Sequence, residues 1–108
     1  MSKKKESKNL SIIDSDLKIE GKLESKGRLV IKGTVRGSII GETIIIAEGG
    51  NVCSDAQVAS ITIGGSFEGD ITASNELIIL STGKCSGKAS CKDLVVENGG
   101  VLNADVTW

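Results

Sequence analysis

The chain has 108 residues, 39% of them hydrophobic and 25% charged, with 14 glycines, no proline and no histidine. That is room for one domain. Phe67 and Trp108 are the only aromatic residues, so the large anchors of an ordinary compact core are missing. Without imidazole there is no His general base, no His-activated nucleophile and no His metal ligand, and a net charge of −1 gives the whole molecule no pull toward nucleic acid.

Residues 1–11 read as a disordered basic tail and residues 12–108 as the folded domain, with patterned sequence starting near Leu10 or Ile12. Lys3, Lys4, Lys5 and Lys8 against Glu6 put residues 1–8 at +3 and the remainder at −4. Near anionic lipid such a tail is worth about 3 kcal/mol. It has no apolar anchor, and stable attachment takes two signals. A solvated tail is the plainer reading, and peripheral membrane contact gains weight only if many tails act together on one assembly. The basic start is followed by no signal-peptide apolar core, and no apolar run approaches the ~18 residues of a membrane span. The odd set Cys53, Cys85 and Cys91 then reads as reduced thiols in a cytoplasmic protein.

Along the domain one motif recurs: Gly, any, apolar, any, small, any, apolar. Leu17/Ile19 with Gly21-Lys22-Leu23 looks like a truncated first copy. Clear copies are Gly33-Thr34-Val35-Arg36-Gly37-Ser38-Ile39 and Gly65-Ser66-Phe67-Glu68-Gly69-Asp70-Ile71. Looser ones start at Gly50, Gly83 and Gly100. A shorter apolar element precedes each: Leu29/Ile31, Ile44/Ile46, Ile61/Ile63, Leu77/Ile79 and Leu94/Val96. Self-similarity at a fixed spacing is the signature of a repeat architecture. The period inside each element is two and Ile and Val dominate, which is strand chemistry. The pattern predicts an all-β, single-domain parallel β-solenoid of about six coils, roughly 29 Å long at ~4.8 Å per coil. Val35, Val52, Phe67, Cys85 and Leu102 stack in one inward row; Ile39, Ala56, Ile71, Ala89 and Val106 in another. The small row Gly37, Ser54, Gly69, Gly87 and Ala104 lies between them and lets the backbone bend or approach its neighbour. The lead glycines are expected at corners that need φ > 0. The lack of proline fits, because every central strand donates to its neighbours.

Sites of other kinds do not assemble. Gly87-Lys88 is followed by Ala89 and lacks the earlier glycine of a phosphate loop. Gly64-Gly65-Ser66-Phe67-Glu68-Gly69-Asp70 has Phe67 where a calcium-binding repeat needs glycine, and no tandem copy follows. Asp55 and Asp70 fall in an outward row with Ser38, Lys88 and Asp105, a solvated face without pocket-forming loops. The cysteines lack zinc spacing, so no metal or cofactor is expected. Cys85 belongs to the core, Cys53 faces out and Cys91 lies near a corner. Hexapeptide-repeat acyltransferases, the less favoured solenoid alternative, need a six-residue period and usually a histidine.

A solenoid exposes unpaired backbone groups and its core edge at both ends. No stretch reads as a polar cap or capping helix, so open ends that join through main-chain pairing are expected. Axial contacts that do not close give a filament.

The runs Gly65–Ala73, Ile12–Gly21 and Leu94–Gly100 resemble the repeats of bactofilins, small bacterial cytoskeletal proteins, and the resemblance covers residues 12–106. It implies a right-handed β-helix that polymerises without nucleotide into nonpolar filaments, subunits meeting through like ends. Such filaments scaffold cell shape, envelope synthesis or protein positioning, with client proteins along them, in the cytoplasm or at the inner face of the cytoplasmic membrane. The contacts would fall to Leu94, Val96, Val101, Leu102, Val106 and Trp108 at the C-terminal coil, and to Ile12, Ile13, Leu17, Ile19 and Leu23 at the N-terminal one. Phe is common in the family where Leu102 stands, and Val101 and Trp108 supply replacement area. Tail-to-membrane contact, where it occurs, falls to Lys3, Lys4, Lys5 and Lys8. The competing reading is a monomeric or small-oligomer solenoid that serves as a binding module.

Overall fold

The structure, a computed structural model, describes residues 10–107. Its nine strands are β1 (Leu10–Ile13), β2 (Lys18–Glu24), β3 (Arg28–Ile31), β4 (Thr34–Ile40), β5 (Thr43–Ile46), β6 (Asn51–Ile63), β7 (Ser66–Ile79), β8 (Lys84–Val96) and β9 (Val101–Thr107), and no helix occurs among the described residues. Every pairing is parallel, and each interior strand pairs with its counterpart in the coil before and the coil after, while β1, β2 and β9 pair on one side only. A short strand followed by a long one makes a coil. In β6, β7 and β8 the chain passes from a long strand into the next short one without a break, and the register shifts at the passage, between Val58 and Ser60 and between Ala73 and Glu76. The result is the expected all-β parallel solenoid of about six turns.

The inward rows stack as the spacing predicts. Val35, Val52, Phe67, Cys85 and Leu102 are successive partners, and so are Ile39, Ala56, Ile71, Ala89 and Val106. The short strands add Leu29, Ile44, Ile61 and Leu77 in one column and Ile31, Ile46, Ile63 and Ile79 in the next, all buried. Small and branched aliphatics fill this core because opposing walls of one coil stand close together; Phe67 is the one large ring it admits.

Two expectations are corrected. The first coil is not truncated. β2 is as long as β4 and pairs with it throughout, Ile19 on Val35, Gly21 on Gly37 and Leu23 on Ile39, while Ser11 and Ile13 of β1 occupy the places of Leu29 and Ile31. Gly21 therefore belongs to the small row, and Leu17 stands where later coils have their lead glycine. The first strand also begins at Leu10, ahead of the boundary drawn at residue 12.

The lead glycines do not sit at positive φ. That conformation occurs in the small row, at Gly21, Gly37, Gly69 and Gly87, and at Gly27, Gly49 and Gly99 in the turns. Gly33, Gly50, Gly65, Gly83 and Gly100 are glycine for lack of space. A Cβ on Gly33 would meet the Asp14 and Leu17 carbonyls, and one on Gly83 the Ile63 carbonyl. The closeness follows from hydrogen bonds that tie this column coil to coil: Asn51 N–H donates to Gly33 O at 2.9 Å, Ser66 N–H to Gly50 O at 2.9 Å and Lys84 N–H to Gly65 O at 2.8 Å. Among the described residues no coil lies beneath position 17, which carries a side chain.

Ser54 interrupts the small row. It is buried, and its hydroxyl has no hydrogen-bond partner. An unsatisfied buried hydroxyl costs about 1–3 kcal/mol. Ser54→Ala is therefore expected to match or exceed the wild type in stability, whereas Phe67→Ala should lose about 3–5 kcal/mol by leaving a cavity. Denaturant unfolding followed by circular dichroism checks both, and a clear loss in Ser54→Ala contradicts the assignment of an unsatisfied group.

Candidate functional site: the two ends of the stack

A side chain in an inward column is covered by its counterparts above and below. The first and last members have one such neighbour each, and the exposures show the cost. Ile79 is fully buried, but Val96, the next residue of its column, is 41% exposed. Leu94, Leu102 and Val106 at the C-terminal end are half-buried, against 2% or less for Leu77, Cys85 and Ala89 beneath them. At the N-terminal end Ile19 and Leu23 are half-buried below the buried Val35 and Ile39, and Leu17 is 49% exposed. Among the described residues no element pairs with the outer edges of β1, β2 and β9 or with the free edge of the last short strand, residues 93–96. Each end thus combines a row of open backbone groups with the edge of an apolar core, the two ingredients of strand addition.

The expected contact residues differ in exposure. Ile13, the first member of its inward column, is buried at 5% exposure. Ile12 alternates with it and faces outward from the short-strand side, and Val101 likewise faces outward, above Lys84. Trp108 and the lysines at 3, 4, 5 and 8 lie outside the described residues. Val95, exposed on the short-strand side beside Val96, was missed. Its signal was available: Leu94, Val95 and Val96 are consecutive apolar residues, and in a period-two strand the middle one must point away from the core.

The long-strand side carries a shallow depression of about 360 Å³ whose lining includes Arg36, Cys53, Glu68 and Lys84. Cys53 Sγ lies 3.8 Å from a Glu68 carboxylate oxygen. Asp55 and Asp70 stack on adjacent coils with Lys88 next, all exposed on the open strand surface. The Gly87-Lys88 run lies inside β8 and forms no loop. Cys85 and Cys91 point into the core, Cys91 just before the corner as expected. Burial pushes the Cys85 thiol from 9.0 up to about 11, and burial, with the Asp93 carboxylate second, raises that of Cys91.

Residues 11–107 match the model of the Bactofilin family, described as polymer-forming cytoskeletal. The chain is similar to "Bactofilin BacO" of Myxococcus xanthus (strain DK1622), with 26% identity over 97 residues, 89% of this chain and 77% of that protein. No solved structure matches the chain.

The thiols give a test of the core assignment. A maleimide should label Cys53 in the native protein and reach Cys85 only on unfolding. Because the folded state holds the Cys85 proton to about pH 11 while the unfolded thiol releases it near 9.0, its contribution is intact below pH 9.0 and lost as pH rises toward 11. The loss amounts to about 2–3 kcal/mol. Cys85→Val should flatten this alkaline decline in unfolding free energy; an unchanged decline places its origin elsewhere.

Proposed function

The chain belongs to the bactofilin family, and we propose that it is a structural subunit that assembles end to end, without nucleotide, into nonpolar filaments in which like ends meet. The observation that carries this reading is the sequence of the strand at the N-terminal end. β2 reads Lys18-Ile19-Glu20-Gly21-Lys22-Leu23-Glu24. Laid antiparallel against its own copy about a two-fold axis through Gly21, it sets Lys18 on Glu24, Ile19 on Leu23 and Glu20 on Lys22, and each pair occurs twice. Opposite-charge and apolar cross-strand pairs contribute about 0.2–1 kcal/mol each. Head-to-tail stacking of β2 on β9, in the register that continues the coil, fits less well: Lys18 meets Val101, Glu20 meets Asn103, Glu24 meets Thr107, and only Lys22 with Asp105 pairs opposite charges. The C-terminal strand joined to its copy about Ala104 sets Leu102 on Val106 and opposes no two like charges.

Such a filament is a passive scaffold. Its function is to hold client proteins of cell-shape or envelope machinery in place, and the proposed location is the cytoplasm, at the inner face of the membrane. Lys3, Lys4, Lys5 and Lys8 give each subunit a weak electrostatic attraction to anionic lipid, and a filament multiplies it.

Like-end assembly makes a specific prediction. Leu102→Arg or Val106→Arg blocks the C-terminal contact but leaves the N-terminal one, so the folded protein should sediment as a dimer, with and without ATP. Adding Lys22→Glu should turn the dimer into a monomer, and Glu20→Lys on top should restore it. A C-terminal variant that is monomeric points to head-to-tail stacking, and one that still forms filaments on a negative-stain grid removes Leu102 and Val106 from the contact. Deleting residues 2–9 should release filaments from vesicles containing anionic lipid without changing their length.

A further inference from the structure

The short strands carry apolar residues on their outer face as well as on their inner one. Between the buried columns that begin at Leu29 and Ile31 runs an outward column, Ile12, Val30, Ile45, Thr62, Ile78 and Val95, whose members are successive register partners. All six are β-branched. The two outermost are 54% and 48% exposed, and the four between are partly exposed. At ~4.8 Å per coil this is a flat stripe about 24 Å long, running from one end of the stack to the other. The long strands have no counterpart: their outward columns are polar, such as Arg36, Cys53, Glu68 and Ser86 or Ser38, Asp55, Asp70 and Lys88.

The charges beside the stripe are unevenly placed along the rod. Arg28 and Lys32 flank its N-terminal half, with Asp14 on the first coil, and Glu76, Asp93 and Glu97 flank its C-terminal half. We propose that this face pairs with the same face of a second copy, the two rods lying side by side and antiparallel. A two-fold axis along the strands puts the second coil opposite the fifth and the third opposite the fourth. Val30 then meets Ile78, Ile45 meets Thr62, and Arg28 meets Glu76 on both sides of the axis. Asp14 meets Glu97 at the two extremities, where solvent screens the like charges. The parallel arrangement, with the axis along the rod, brings Arg28 onto Lys32 and Asp93 onto Glu97, like charge on like, and leaves Glu76 opposite Leu80 with no opposite-charge pair anywhere.

With three outward columns ~6.6 Å apart, the footprint is roughly 300 Å² per subunit, well short of the ~800 Å² per partner of a stable complex. One subunit therefore does not pair on its own. A filament does, because each further subunit adds its footprint without new translational loss. The inference rests on the end-to-end reading above, and it deepens it: the lateral partner of a filament is a second filament, and a nonpolar filament offers the antiparallel face along its whole length.

Electron microscopy of the full chain tests it. Wild-type filaments are expected in pairs, and Ile45→Lys with Ile78→Lys should leave single filaments of unchanged length and about half the width. Thr62→Lys, which replaces a residue that is already polar, should do the same where the double variant folds poorly. Arg28→Glu should separate the pairs, and Arg28→Glu with Glu76→Arg should restore them. Pairs that persist in the lysine variants overturn the proposal, and so do wild-type filaments that stay single at every concentration; in both cases the end-to-end reading stands. A charge swap that fails to restore pairing overturns the antiparallel orientation. Wild-type protein that makes no filament sinks the end-to-end reading and this proposal with it.

Discussion

Everything in this molecule depends on parallel backbone pairing at one fixed spacing, coil on coil. At ~4.8 Å the carbonyl of one coil reaches the place where the Cβ of the next would stand wherever the chain turns sharply. The lead positions 33, 50, 65, 83 and 100 answer with glycine, and the lead position with no coil beneath it among the described residues, residue 17, is leucine. The same spacing explains the missing prolines, since an interior strand that cannot donate breaks the ladder on one side. It also explains the slim core. Walls drawn close by a coil of about 17 residues leave room for Ile, Val and Ala, and Phe67 fills the place taken by Val52 below it and Cys85 above.

Much of this was legible in the sequence because the repeat makes each coil a restatement of the last. The inward rows from Val35 to Leu102 and from Ile39 to Val106 came out in the right register, since period-two alternation and the glycine spacing fix the same answer independently. The first coil was misread for the converse reason. Its short strand carries Ser11 where later copies have leucine or isoleucine, its lead position is not glycine, and Gly21 was matched to the wrong glycine row. The role of the lead glycines was also not legible. Positive φ and steric closeness both select glycine, and a sequence records only the residue chosen.

The ends were easier to locate than to resolve. A stack of like coils must leave its last inward residues half-covered, so Ile19, Leu23, Leu102 and Val106 follow from the fold itself. Which apolar residues near the ends face along the axis and which face sideways depends on parity within a strand. Ile12 and Val101 have the sideways parity, Leu94 and Val96 the inward one. The apolar triplets of the short strands hide this distinction, because they look like one buried run when only their first and third members are buried.

Axial and lateral surfaces differ in kind, and the difference orders assembly. At an end, the gain is cooperative: open N–H and C=O groups, a bare core and complementary charges are satisfied together, in a contact whose geometry the next coil would have had anyway. Along the side, every backbone group is already paired within the sheet, so only side chains remain to interact, over a footprint too small to hold two single rods. In the proposed assembly, ends therefore join first and sides second. There the lateral energy grows with filament length while the rotational and translational loss does not, so long filaments are the ones expected to pair. The placing of Arg28 and Lys32 toward one end, Asp14 notwithstanding, and of Glu76, Asp93 and Glu97 toward the other would give that proposed pairing a direction, which the β-branched stripe, nearly uniform along its length, does not supply.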